Sequence, residues 1–489
     1  MKDYLLLLCG LCLSGPGLLM AQDCDCLSNF RWAEQTFREN DAGYAYALAQ
    51  KGEAAYRQHT EAFAAQARST EDMITCLSLI DEWMKFFRSA HLGVEWLGEE
   101  AETSEADALP QRKRAIRAHF ADWETLEVDL DEFRAYLAEK DSLDFEGIWR
   151  SGIYRIGIKK VNEGYLGFII EADGVYWVED QVKLRIAADG SATFYMRDHS
   201  EEQFTPEQVL LLGQSGLRLG FVSLEREWPA VPTEPAVASY LKAVEATEPY
   251  FERIDSQAVL LRIPSFSNDQ KPAIDSVIAT HRATILQTPT LIIDLRGNGG
   301  GSDNSYEELL PLLYTNPIRS VGVEFLSTPL NNQRMLDLAD DPAYNLSEEE
   351  RAWVRQAYET LSAREGEFVS LNEEPVSVMV LDTVYPYPRN VGILIHEENA
   401  SSAEQFLLDA KQSRKVKLFG SKTYGVLDIS NMYAVASPCE QFQLWYSLSR
   451  SQRIPKMTID EQGIQPDFYL DAQIRPYEWI DFAVETLRE

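Results

Sequence analysis

The chain has 489 residues, 45% of them hydrophobic and 11% aromatic, the composition of a folded globular protein long enough for several cores. Its net charge of -33 argues against nucleic acid and anionic membrane surfaces as partners, and no basic patch interleaved with aromatics occurs. No stretch after the N-terminus is apolar for the roughly 18 residues that a spanning helix needs.

The apolar run Tyr4–Leu13, broken by Pro16 and Gly17 and closed by Ala21, predicts a signal peptide over 1–21 and an exported protein, periplasmic or extracellular. Four of the six cysteines remain after it: Cys24, Cys26, Cys76 and Cys439. An oxidising compartment permits them to pair, and Cys26–Cys76 is the expected bridge. No cysteine or histidine cluster suggests a metal, and no cofactor is expected.

Residues 22–98 read as an N-terminal helical domain. Phe30, Ala33 and Phe37 share one helical face, a second helix spans Ala45–Ala67, and a third starts near Asp72 and carries Ile74 to Phe87. It ends at Ser89-Ala90-His91, before a short strand at Leu92–Trp96. Residues 99–143 read as an acidic linker (Glu99–Asp107) with helices over Gln111–Lys140. Over 144–228 the pattern changes to strands, with a hairpin signal at Asp189-Gly190, and predicts a small β domain. Pro229, Pro232 and Pro235 mark its exit.

From 229 to 489 strands and helices alternate, which predicts an α/β core with both sheet faces covered. Ala258–Ile263, Thr290–Asp294, Val376–Leu381, Val391–Ile395, Val416–Gly420 and Phe468–Leu470 are the expected strands. Lys271–Ile285 and Tyr306–Tyr314 are expected helices, and Asp337–Gly366 reads as a helical, peripheral insertion. The whole is an α/β (α+β multidomain) chain.

Four places carry candidate chemistry. Between the Val391–Ile395 strand and a helix beginning near Phe406 lies Asn399-Ala400-Ser401-Ser402-Ala403-Glu404. Ser401 and Glu404 have capping-box spacing, and the same turn exposes a hydroxyl at a helix N-terminus, where N–H groups can hold an oxyanion. The second is Arg296-Gly297-Asn298-Gly299-Gly300-Gly301 after the Thr290–Asp294 strand. It lacks the Gly-Lys-Ser/Thr of a phosphate loop. It reads as a tight turn or as unobstructed N–H donors. The third is His91, with His396 as a rival base. The fourth is Asp460-Glu461-Gln462-Gly463, a turn whose Glu461 can orient a base. Asn399-Ala400-Ser401 and Asn345-Leu346-Ser347 also fit glycosylation sequons, the first of them fortuitously.

Taken in order, Ser89-Ala90-His91, Asp294–Gly300, Ser401–Glu404, Phe419–Gly425 and Glu461–Asp467 resemble the C-terminal processing (tail-specific) and tricorn-like serine peptidases. The resemblance implies a ClpP/crotonase-like α/β peptidase core and a polypeptide substrate. It implies Ser401 as nucleophile and Ser402 with Gly299 or Gly300 as oxyanion donors. The processing branch's lysine and glutamine positions are here Val426 and Ser430, so its Ser–Lys dyad is absent. The tricorn-like branch implies His91 as base, with Glu461 orienting it directly or through Ser89. The β domain occupies the place of that family's PDZ domain without a clear PDZ pattern around Trp177. The alternative is a catalytically inactive peptide- or ligand-binding protein on the same fold. Substrate preference and oligomeric state are not legible.

Overall fold

The computed structural model describes residues 24–97, 110–341 and 346–488. The expected signal peptide, the acidic linker and Asn345 of the second sequon lie outside these residues. Among the described residues no helix is long and apolar enough to cross a membrane, and no group of His, Cys, Asp or Glu could hold a metal ion.

The chain divides into two compact units, and the division does not follow the domain boundaries expected from sequence. Val323–Pro375 and Ile429–Ile454, both read from sequence as parts of the 229–489 core, group with the N-terminal helices. The remaining described residues form the second unit.

In the first unit, helices Cys26–Asn40, Tyr44–Lys51, Glu53–Ala67 and Met73–Met84 pack through Phe30, Phe37, Trp83 and Phe87. The continuous helix expected over Ala45–Ala67 is broken at Gly52, whose φ of 89° is a left-handed conformation that favours glycine. Asp72 caps the Met73–Met84 helix through Thr75 N–H, as its position predicts. These helices cover Phe442, Leu444 and Tyr446 of the Phe442–Ser451 strand. That strand pairs antiparallel with Gly93–Trp96, Ile429–Ala436 and Val323–Leu326. Helices Pro329–Asp340 and Glu348–Ser362 complete the unit. Two disulfides staple it: Cys26–Cys76, as expected, and Cys24–Cys439.

The second unit holds the β domain and the α/β core. The β domain is a nine-stranded antiparallel sheet over 147–228. Its edge strands, Glu201–Phe204 and Val209–Leu212, are consecutive in the chain, and one apolar cluster takes side chains from all nine strands. Four connecting residues cannot span a flat sheet of this width, so the sheet is curled. Its interior is filled by Trp149, Trp177 and Phe194, and it also encloses a lysine. Lys183 is fully buried, with its Nζ 4.0 Å from the Trp177 ring centre and 4.4 Å from that of Tyr154, donating to the Met196 carbonyl at 3.1 Å. Burial lowers its pKa to about 7.

The core sheet has six strands in the order Tyr250–Arg253, Ala258–Arg262, Thr290–Asp294, Asn390–Ile395, Val416–Gly420, Phe468–Tyr469. All but the first are parallel to their neighbours. Alternation decides the layers. Val259, Leu261, Leu291, Ile293, Val391 and Ile393 face helices Lys271–Ile285 and Ser402–Ala410. Ala258, Leu260, Ile292, Leu394 and Phe419 face helix Trp479–Arg488 through Trp479, Ile480 and Ala483. Both faces are dry, which is why these strands read as unbroken apolar runs. The expected Val376–Leu381 strand is not part of this sheet. Val376–Met379 forms a two-stranded ribbon with Ile318–Val321. The helix expected over Tyr306–Tyr314 is a 3₁₀ turn, Asp303–Tyr306, and one short helical turn, Leu310–Leu313.

Candidate active site

The parallel register sets Asp294 beside Leu394, so the glycine loop and the serine turn leave the same end of adjacent strands. In open α/β sheets this carboxyl end is where ligands bind. The segment after Val416–Gly420 leaves there too, since that strand is the parallel neighbour of Asn390–Ile395.

The chain reverses sharply at Ser401, with φ 55° and ψ -123°, before helix Ser402–Ala410 begins. A non-glycine residue in this region is strained, and such strain persists only where surrounding contacts impose it. Ser401 N–H donates to the Val426 carbonyl at 3.0 Å and to Glu404 Oε2 at 3.3 Å. Ser401 and Glu404 therefore form the capping box that their spacing predicts. Glu404 does more than cap. Fully buried, its carboxylate also accepts from Thr423 Oγ1 at 2.5 Å, Gly425 N–H at 2.8 Å and Val426 N–H at 2.8 Å. Burial holds its pKa above the ordinary carboxylate value, against the pull of these four donors.

The glycine loop lies against this turn. A Cβ on Gly300 would come within 2.6 Å of the Ala400 carbonyl oxygen and 2.8 Å of Ser402 N. Gly300 also has φ 99°, so both space and conformation require glycine here. The N–H groups of the three expected donors differ. Gly300 N–H already donates to Asn298 Oδ1 at 2.9 Å. The Gly299 and Ser402 N–H groups meet no acceptor among the described residues. Gly299, not Gly300, is the glycine with a donor to offer. Arg296 is not part of this donor set. It pairs with the buried Asp294 at 2.7 Å and donates to the Pro476 carbonyl at 2.6 Å, anchoring the start of the loop.

Glu461 lies at the tip of the 459–463 turn, with an exposed side chain and φ 65°. Its N–H donates to the Gly425 carbonyl at 2.8 Å. Beneath it two carboxylates exchange backbone bonds. Asp428 Oδ2 accepts from Ile459 N–H at 2.6 Å, and Asp460 Oδ1 accepts from Leu427 N–H at 2.6 Å. The turn is thereby tied to the segment that Glu404 holds.

His91 belongs to the first unit and also has positive φ, 55°. Its turn is clamped by Arg88, which donates to the carbonyls of Ala90 at 3.1 Å and His91 at 2.7 Å. Arg88 is itself fixed by two bonds to the buried Asp41, at 2.8 and 2.6 Å. His91 Nδ1 lies 2.7 Å from the Ile429 carbonyl oxygen. A carbonyl only accepts, so Nδ1 carries the proton and Nε2 is left as the basic nitrogen. What orients Nδ1 is thus a backbone carbonyl, where the sequence led us to expect Glu461 or Ser89. Burial, with the Arg88 charge adding to it, lowers the His91 pKa below its ordinary value. The rival His396 has its Nδ1 occupied by Glu398 N–H at 3.1 Å.

Ser401, His91 and Glu461 are three of only eight non-glycine residues with positive φ among the described residues. Sequence reasoning missed Arg88, Asp41 and the several partners of Glu404. The first leaves a trace, a cation directly after Phe86-Phe87, just past an apolar helix.

Residues 257–470 match peptidase family S41. Among solved structures the chain is similar to a CPAF mutant, at 14% identity over 95% of this chain and 96% of that one, with a TM-score of 0.50. It is also similar to mature CPAF, at 13% identity over 95% and 96% of the two chains and a TM-score of 0.48. A third is the photosystem II D1 C-terminal processing protease, at 13% identity, 95% and 97% coverage and a TM-score of 0.38. Identities this low bear on the fold alone. No curated protein matches the chain.

Proposed function

We propose that this chain, a serine peptidase of family S41 through its residues 257–470, cleaves polypeptides through an acyl-enzyme on Ser401. The observation that carries the assignment is the strained turn at Ser401, opening a helix beside two unengaged N–H groups, those of Ser402 and Gly299. Ser401 Oγ attacks the scissile carbonyl while His91 Nε2 takes its proton. The tetrahedral oxyanion rests on the Ser402 and Gly299 N–H groups. His91 then protonates the leaving amine, and water resolves the ester by the same steps in reverse. The Ile429 carbonyl keeps His91 in the tautomer this needs, and Glu461 serves as the carboxylate that balances the imidazolium. No metal or cofactor enters the proposal. Export is part of the reading too. It is supported by the apolar N-terminal run and by two disulfides, which persist in oxidising compartments.

A fluorophosphonate probe tests the assignment. Labelling of the wild type, lost in Ser401→Ala and weakened in His91→Ala, is the expected result. Clean wild-type protein that neither labels nor cleaves peptides sinks it in favour of a silent, peptide-binding protein on the same fold. Glu461→Gln tests the charge-balancing role by itself, because the Ile429 carbonyl that orients His91 survives that change.

A further inference from the structure

Two asparagines that the proposed chemistry does not use lie beneath the site. Asn298 and Asn399 are each 0% exposed. Asn399 uses its whole amide. Its Nδ2 donates to the Leu295 carbonyl at 2.6 Å and to the Asn298 carbonyl at 3.0 Å, and its Oδ1 accepts from His396 N–H at 2.8 Å. Its backbone is engaged as well, donating to the His396 carbonyl at 2.9 Å and accepting from Tyr424 N–H at 2.9 Å. Asn298 continues the link. Its Oδ1 accepts from Gly300 N–H at 2.9 Å, and its Nδ2 donates to the Ile263 carbonyl at 3.2 Å.

One side chain thus ties the two ends of the Leu295–Asn298 turn to the turn that carries Ser401. The next occupies the Gly300 N–H and fixes the peptide beyond Gly299. Between these fastenings sit the two N–H groups without an acceptor. A buried polar group of this kind sets one geometry, because breaking any of its bonds leaves a carbonyl or an amide unpaired away from water.

We propose that Asn399 is a positioning residue of the peptidase reaction. By joining the Leu295 and Asn298 carbonyls to the serine turn it sets the spacing of the Gly299 and Ser402 N–H groups about Ser401 Oγ. The inference rests on Ser401 being the nucleophile. It also disposes of the Asn399-Ala400-Ser401 sequon. In the folded chain that amide has no exposed surface and both of its hydrogens are in use.

Asn399→Asp keeps the size and the acceptor but turns an oxygen toward two carbonyl oxygens. Saturation kinetics with a fluorophosphonate then read its effect, because the phosphoryl oxygen gathers charge at the donors only as the bond to Ser401 forms. The expected result is a maximal labelling rate reduced about 10²-fold, the scale of one lost oxyanion donor. The half-saturating probe concentration should change less than about threefold, since ground-state binding is not what is lost. Near-UV circular dichroism should match the wild type. A maximal rate within about threefold of wild type, or a loss equal to the unfolded fraction, overturns the proposal. If Asn399→Asp does not fold, Asn399→Ala, which removes both amide donors without adding a charge, carries the same test, and a normal maximal rate in it is equally fatal. Ser401→Ala, run alongside, separates the failures. If it labels like the wild type, the nucleophile assignment is wrong, whatever the asparagine variants do.

Discussion

Replacing Glu404 with glutamine tests the scaffold of the site at its most connected point. The carboxylate takes four donors, two on each oxygen: Thr423 Oγ1 and Gly425 N–H on Oε1, Ser401 N–H and Val426 N–H on Oε2. Glutamine has one oxygen, so its NH₂ must face one of these pairs. The Oε1 side is the less costly, because the Thr423 hydroxyl can rotate and accept, although it already accepts from Ile464 N–H at 2.7 Å. Gly425 N–H is then left buried without an acceptor. Hydrogen bonds to a charged group contribute about 1.5–3 kcal/mol each, so losing one and inverting another costs about 3–6 kcal/mol. Removing a buried charge returns part of this, which leaves a net loss of about 2–4 kcal/mol. Urea unfolding should show that loss in the midpoint with little change in slope. Fluorophosphonate labelling should slow at least about tenfold in protein that is still folded, because the segment carrying the Val426 carbonyl no longer holds Ser401 in its strained conformation. A variant with wild-type stability and labelling rate would refute the argument that Glu404 imposes the turn.

Three further outcomes follow from groups away from that turn. With the neutral His91 imidazole as the proposed base, its lowered pKa should place the acid limb of kcat/KM below the ordinary histidine value of about 6.5; a limb above that value contradicts the assignment. Lys183→Met should stabilise the protein, by up to a few kcal/mol, when melted below pH 7, where the buried amine must carry its charge. From about pH 7 to about 10.4 the unfolded chain alone stays protonated, so wild-type stability rises and the mutant's advantage shrinks; an advantage that grows with pH rejects this account. Arg88→Met leaves Asp41 buried and unpaired, and denaturant unfolding should report a loss of about 3–5 kcal/mol.

How much of this could be read from the sequence depends on the range of the interaction concerned. The α/β core was legible because strands such as Thr290–Asp294 are buried on both faces and read as apolar runs. The serine turn and the glycine loop were legible because only special residues suit them. The grouping of 323–375 and 429–454 with the first helices was not. It rests on pairings such as Gly93 with Trp445, which leave no periodic trace in either segment. The β domain's strands were seen only in part, since several are four residues long. The partner of His91 Nδ1 was beyond reach for another reason: a backbone carbonyl has no signature, and Ile429 looks like any core isoleucine. Asn399 resembled a glycosylation site because a sequon records spacing and ignores burial.

The first unit is assembled from residues 24–97, Val323–Pro375 and Ile429–Ile454, and this has a consequence for synthesis. Phe442–Ser451, the central strand on which Gly93–Trp96, Val323–Leu326 and Ile429–Ala436 pair, leaves the ribosome more than three hundred residues after His91. Until then the helices that carry the histidine have no sheet to close on, and Cys24 waits for Cys439. The turn that presents His91 is therefore held by this sheet only after most of the chain has been made, and a transcript cut short before that strand leaves the first unit without its central strand.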